Sequence, residues 1–225
     1  MMLLAVDTST TSCSVALFNG KRLLAEEIYT AGKTHSRHLL SIIHRILSGC
    51  RSNPAEIDTL AVTRGPGTFT GLRIGISTVK GLALATQASV VGISSLAALA
   101  YPFALLEQPV VAMIDARRGE VYYACYHNPD REAGEAVMPP SVGPPEAAAA
   151  DVPEGAVLVG SGAVLYREVF AARCPKVRFA EPAQHVIRAA SVAGLAMERL
   201  SRGSVDSIEG LVPEYIRKSD AQIHF

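Results

Sequence analysis

One pattern occurs twice along this chain, and the repetition constrains the fold more than any single residue does. A short apolar run ends in Val6-Asp7 and leads into a polar turn, Thr8-Ser9-Thr10-Thr11-Ser12. After it Cys13, Val15 and Leu17 alternate with Ser14 and Ala16. Alternation with period two around a turn reads as a hairpin. Residues 110–114 are apolar in the same way, Asp115 ends them, and Ala116-Arg117-Arg118-Gly119-Glu120 makes a second polar turn. Counted from each aspartate, the inward residues fall at +6, +8 and +10 in both copies: Cys13, Val15 and Leu17, then Val121, Tyr123 and Cys125. Each copy goes on to a strand, a glycine turn and a helix, at 59–63 into Gly65-Pro66-Gly67 and at 156–159 into Gly160-Ser161-Gly162-Ala163. Two such coincidences in the same order argue for internal duplication.

The intervening segments fill in the architecture. Asn19-Gly20 signals a tight turn into a third strand over 21–29. Thr34 suits the N-cap of a helix to about Ser48, with Leu39, Ile42, Ile43, Ile46 and Leu47 on its apolar side and Gly49 at its end. A small-residue helix over 71–88 precedes a strand at 90–93 and a short helix after Ser94-Ser95. The stretch 128–151 holds Pro129, Pro139, Pro140, Pro144 and Pro145 and reads as an irregular surface insertion with one short helix near 146–150. An amphipathic helix over 185–202 follows, then an extended tail in which Pro213 keeps Val212 out of the helical region. Strands before helices, twice over, predict an α/β fold of two lobes, 1–103 and 104–225, each a mixed sheet flanked by helices. A ligand would lie at the carboxyl edges of the strands, in the cleft between lobes.

The composition excludes several classes. Residues of the hydrophobic set make up 49% of the 225, enough for a substantial core. Apolar runs are broken before about 18 positions, so no membrane span is expected. Basic and acidic residues balance at 21 each, which speaks against a chain that holds nucleic acid by a general basic surface. Cys13, Cys50, Cys125 and Cys174 are far apart, which fits a reducing cytoplasm better than a zinc or disulfide framework. The start Met1-Met2-Leu3-Leu4 lacks a basic region and meets Asp7 at once; it reads as a first strand, not a leader.

The run Arg64-Gly65-Pro66-Gly67-Thr68-Phe69-Thr70-Gly71-Leu72-Arg73-Ile74-Gly75 is the most distinctive stretch. A glycine turn that opens a helix can present backbone N–H groups to an anion, or can serve only to turn the chain closely against a neighbour. Gly71 and Gly75, then Ser77, Gly81 and Ala85, put small residues in stripes along the helix. Either the sheet beneath or a partner helix packs there. On the partner reading, Leu39, Ile43, Ile46, Leu72, Arg73, Gly75, Ile76 and Val79 form an interface, and Gly75→Leu would break dimerisation more than folding.

The opening hairpin and the duplicated unit resemble the actin-like ATPase superfamily, which includes sugar kinases and actin. Leu4-Ala5-Val6-Asp7-Thr8-Ser9-Thr10, the run 64–75 and Pro213-Glu214-Tyr215-Ile216-Arg217 together look like the bacterial TsaB (YeaZ) family. The resemblance implies a duplicated RNase H-like fold. It also implies a non-catalytic role in forming threonylcarbamoyladenosine beside the tRNA anticodon. The implied partners are the catalytic paralogue TsaD, the ATPase TsaE and a functional link to TsaC, with a homodimer formed through the N-terminal lobe in isolation.

The phosphate-loop positions look degraded. Asp7, Thr8, Ser9 and Thr10 lack the glycine and the basic residue such a loop uses, and after Asp115 the arginines 117 and 118 stand where glycines are expected. Hydroxyls that satisfy their own turn are the plainer reading of 7–10. Gly160-Ser161-Gly162-Ala163 suits adenosine contact or an ordinary helix start equally. His35 and His38 share a helix face, but no further ligand is recognisable, so no metal site is expected. Asp115 and Glu120 are a carboxylate pair or solvated hairpin charges. On this reading the chain holds no cofactor alone, and ATP or ADP would lie at the interface of the complex. The competing expectation is an independent ATP-dependent small-molecule kinase, which needs working phosphate loops at Asp7 and Asp115.

Overall fold

The structure, a computed structural model, describes residues 1–30, 35–127 and 136–217, with side chains of the first helix from His38 onward. The first sheet begins as a meander of β1 (Met2–Asp7), β2 (Cys13–Asn19) and β3 (Arg22–Tyr29). Helix α1 (His35–Gly49) leads to β4 (Thr59–Gly65), and α2 (Phe69–Thr86) leads to β5 (Ser89–Ser94). The strand order is β3-β2-β1-β4-β5, with β1–β2 and β2–β3 antiparallel and β1–β4 and β4–β5 parallel. Central strands covered on both faces read as continuous apolar runs. Leu3-Leu4-Ala5-Val6 and Leu60-Ala61-Val62 are buried throughout.

After α3 (Ser95–Ala100) the plan repeats. The second half contains β6 (Val110–Arg117), β7 (Glu120–Tyr126), β8 (Met138–Gly143), α4 (Pro145–Ala148), β9 (Val157–Val159), α5 (Ser161–Leu165), α6 (Arg167–Arg173), β10 (Arg178–Phe179) and α7 (Ala189–Ser201). Its order is β10-β9-β6-β7-β8, with β6 to β10 in the places of β1 to β5 and the same parallel and antiparallel pairings. The duplicated two-lobe α/β plan is therefore present strand for strand.

Three local expectations need correction. The 128–151 stretch is not irregular throughout: Met138–Gly143 pairs with β7 as an edge strand. Pro139 and Pro140 lack a ladder donor, which an edge strand tolerates. The hairpin turn after β2 centres on Gly20-Lys21, since Asn19 pairs with Arg22. Helix α7 starts at Ala189, not His185; Pro182–Gln184 forms a separate 3₁₀ turn and Arg188 is extended. The N-cap expected at Thr34 and residues 128–135 lie outside the described residues.

The core has three parts. Leu4, Val6, Val15 and Leu17 pack outward against α1 and α2. In the second half Val111, Met113, Tyr123 and Leu158 pack against α4 to α6. Between the sheets lies one continuous core shared by Leu3, Ala5, Phe18 and Val91, by α3 and α7, and by Ala112, Ile114 and Tyr122. Helix α7 packs on β1, β2, β4 and β5 of the first sheet although it ends the second half, and α3 reaches β6. Glu26 on β3 holds the start of α7: its Oε1 accepts from Ala190 N at 2.9 Å, and it pairs with Arg188. A carboxylate at a helix N-terminus satisfies an orphan donor and favours the dipole.

Candidate functional site

The carboxyl ends of β1, β4 and β6 meet where both phosphate loops were expected. In the first loop Asp7 is fully buried. Its Oδ1 accepts from Ser9 N at 3.0 Å, Ser9 Oγ at 2.6 Å and Thr63 Oγ1 at 2.7 Å. Thr10 and Ser12 hydroxyls bond each other at 2.9 Å, and Thr8 Oγ1 donates to Gly71 O at 2.7 Å. The hydroxyls thus close the turn on itself and on α2.

The glycine run supplies close approach to this turn. A Cβ on Gly67 would lie 2.3 Å from Ser9 O, on Gly71 2.0 Å from Thr8 O, and on Gly75 2.4 Å from Thr8 Oγ1. Thr68 N donates to Ser9 O at 2.7 Å, and Thr68 Oγ1 caps Gly71 N at 3.2 Å. Of the two uses of a glycine turn, this one seats α2 against the first loop. Gly65, with φ +136°, lets the tail pass: a Cβ there would meet Glu214 O at 2.4 Å.

The second loop is a tight hairpin. Arg118 and Gly119 are its central residues, with φ +57° and +77°, and Arg117 before them has φ +63°. The arginines keep a backbone that glycine adopts without cost. Asp115 accepts from Arg117 N at 2.8 Å and pairs with its guanidinium at 3.0 Å, while Glu120 pairs with Arg217 at 2.6 Å. Asp115 and Glu120 are each held by an arginine, as hairpin charges are. Gly160 is explained by packing, since a Cβ would lie 2.1 Å from Met113 O. Its N–H donates to His185 Nδ1 at 3.0 Å, and the His185 Nε2–H faces Ala180 O at 2.9 Å, which fixes the tautomer.

Between the lobes these elements leave a cleft of about 620 Å³, with Thr10, Asp115, Ser161 and His185 among its lining. A second groove of about 480 Å³ runs from Gly67-Thr68-Phe69 to Arg117, Arg118, Tyr122, Tyr215 and Arg217. The tail crosses there: Glu214 N donates to Arg64 O at 2.7 Å, and Tyr215 stacks on Phe69 with centroids 5.7 Å apart. His38 stacks on Tyr29 at 4.7 Å, while the His35 side chain lies outside the described ones.

A family model described as TsaD, tRNA N6-adenosine threonylcarbamoyltransferase, matches residues 26–225. YeaZ from Pseudomonas aeruginosa is 36% identical, with a TM-score of 0.81, over 96% of this chain and all of that one. The chain belongs to the TsaB (YeaZ) family. The protein of Escherichia coli called tRNA threonylcarbamoyladenosine biosynthesis protein TsaB is 38% identical over 63% of this chain. That match spans 64% of the E. coli protein, just under two thirds of its length. An activator of 2-hydroxyisocaproyl-CoA dehydratase from Clostridium difficile shares the fold alone, with a TM-score of 0.52 at 11% identity over 92% of this chain and 99% of that one.

For this TsaB-family chain the expected interface needs revision. Leu39, Ile43, Ile46, Leu72, Gly75, Ile76 and Val79 are buried against their own sheet. Helical spacing identified one apolar face correctly, but that face is internal. Arg73 is exposed, with its guanidinium 3.7 Å over the Phe69 ring. The outward faces of the two helices carry Leu40, His44, Ser77, Gly81 and Leu84. Gly75→Leu would meet Thr8 and Val62 within the protomer, so its expected effect moves from dimerisation to folding. Sequence reasoning flagged the tail as extended but missed its contacts, which join positions far apart in the chain.

Proposed function

We propose that this chain is the non-catalytic subunit of the assembly that forms the threonylcarbamoyl group on adenosine beside the tRNA anticodon. It works by docking on and activating the TsaD paralogue. Family membership and the names of its relatives support the pathway. The observation that carries the non-catalytic reading is the closed first loop, in which Oδ1 of the buried Asp7 accepts from Ser9 and Thr63. ATP or ADP then belongs to the interface of the complex, with TsaE as the ATPase, TsaC as the source of the activated threonylcarbamoyl group and the cytoplasm as the compartment. The outward faces of α1 and α2 in the N-terminal lobe, with Leu40 and Leu84 exposed, would dock the paralogue and would support a homodimer in its absence. No helix among the described residues is long and apolar enough to cross a membrane.

The test mixes the purified chain with the paralogue, TsaE, tRNA and threonylcarbamoyl-adenylate and follows modified adenosine. The chain alone should give no transfer and negligible ATP hydrolysis, and its addition should raise transfer strongly. ATP turnover by the lone chain at about 1–100 s⁻¹, the range of kinases, would establish the kinase alternative instead.

A further inference from the structure

We propose that residues 212–217 are a releasable strap that ties the β6–β7 turn of the second lobe to the first turn of α2, and so sets the pose of a helix that docks the paralogue. The docking half of this rests on the reading above. The base of the strap is fixed, because Leu211 is buried in the outer core of the first lobe. Beyond it the chain crosses from one lobe to the other. Glu214 N donates to Arg64 O at 2.7 Å, and the Glu214 carboxylate pairs with the Arg64 guanidinium at 3.2 Å, both near the end of β4. Tyr215 stacks on Phe69, the first residue of α2, and its Oη accepts from Arg73 Nε at 3.4 Å, one turn further along the helix. Arg217 then reaches the second lobe, where it pairs with Glu120 at 2.6 Å and donates to Ala116 O at 3.1 Å.

The fold reserves a place for this crossing. Gly65 sits at φ +136°, and a Cβ there would meet Glu214 O at 2.4 Å, so β4 ends in the residue type that lets the strap lie down. The grip is nevertheless weak. Val212 and Tyr215 are 54% and 43% exposed, and the side chains of the Arg64–Glu214 and Arg217–Glu120 pairs are exposed by 30% to 50%. An exposed ion pair shifts an equilibrium by no more than about fivefold, and the segment regains backbone freedom when it lets go. Ile216 adds a partly buried contact with the interlobe core. A segment held in this way opens locally while the core beneath it stays closed. Because the strap touches both lobes, whatever steadies the start of α2 also steadies the β6–β7 turn, and the converse holds by the same factor.

The experiment reads amide hydrogen exchange by NMR on the full chain alone. Arg217→Met removes hydrogen bonds to the second lobe, yet it should speed exchange in the first lobe by about threefold. The amides that report this are Leu72, which donates to Thr68 O in the first turn of α2, and Glu214. Glu120→Gln should do the same from the other side of the pair, and the two changes together should do no more than either alone. Lys176→Met is the control: it breaks the pair with Glu154, which is more exposed and lies off the strap. The proposal is overturned if Leu72 exchanges as in the parent in both strap variants, if their effects add, or if Lys176→Met has the same effect. Affinity for the paralogue is then measured by titration calorimetry. Arg217→Met should weaken it by about threefold, although Arg217 lies on neither docking helix; an unchanged affinity overturns the link to docking. A parent chain that does not bind the paralogue refutes the subunit reading, while exchange in the lone chain still decides the strap.

Discussion

Gly71→Ala tests whether the glycine run exists to seat α2 on the first loop. The added Cβ would lie 2.0 Å from the backbone oxygen of Thr8 and 2.5 Å from Thr68 Oγ1. The first obstacle is backbone in a buried turn and cannot swing aside, so overpacking costs about 1–3 kcal/mol. The second is the hydroxyl that caps Gly71 N, and losing that cap costs about 1 kcal/mol. Exchanging Gly for Ala inside a helix returns about 1 kcal/mol. The net is a loss of about 1–3 kcal/mol, or roughly 3–10 °C in Tm for a chain of this size. Gly81→Ala is the internal comparison, because nothing lies within 4 Å of its Cβ position and only the helical gain applies. It should raise Tm by about 2–4 °C. Both are read by circular dichroism melts at one protein concentration. If Gly71→Ala melts at or above the parent, the close-approach account is wrong and an anion-binding role for these glycines returns.

Three further outcomes are expected. Arg51→Gly should stabilise the protein by about 1 kcal/mol in urea titration, since it removes an exposed non-glycine residue from φ +55°. Arg199 pairs with Asp206 at 2.9 Å and bonds Gly92 O at 2.7 Å. Burial acts to raise the Asp206 carboxyl, but hydrogen bonds from Arg199 and Gly92 N–H outweigh it and hold the group below its ordinary value. Its stabilisation is therefore complete above the unfolded carboxylate range, near about pH 4, and is lost as pH falls through the lower folded value. Both side chains are part-exposed, so Arg199→Met should cost about 1–3 kcal/mol at neutral pH and flatten the acid limb of stability below about pH 4. Finally, burial pushes the Cys13 thiol up to about 12 and Cys125 up to about 11. Native alkylation followed by mass spectrometry should modify the half-buried Cys50 and Cys174 and spare the other two.

The topology was legible because alternation from Asp7 and from Asp115 repeats at fixed offsets, and period-two patterns report which face of a strand is buried. Strand β8 was hidden by Pro139 and Pro140, which argue against a central strand but not an edge. The glycine spacing at 67, 71 and 75 was visible, but what it faces was not, because Thr8 and Ser9 lie some sixty positions earlier. Leu39, Ile43 and Ile46 show why spacing alone misplaces an interface: an apolar stripe looks the same whether a protomer's own sheet or another molecule covers it. Arg117 and Arg118 stand where the resemblance expects glycines, and they keep the positive φ a glycine would adopt, but nothing in their own residue type foretells it.

The placement of α7 beneath the first sheet has a consequence for how this gene could be divided. A fragment ending at the linker after α3 would uncover Leu3, Ala5, Phe18, Ala61 and Val91 to water, so the N-terminal half should not survive as an autonomous module. A hinge between the lobes would have to shear the helices wedged there. The molecule is therefore expected to pass a push at one end to the other as a single block, without opening and closing like a jaw.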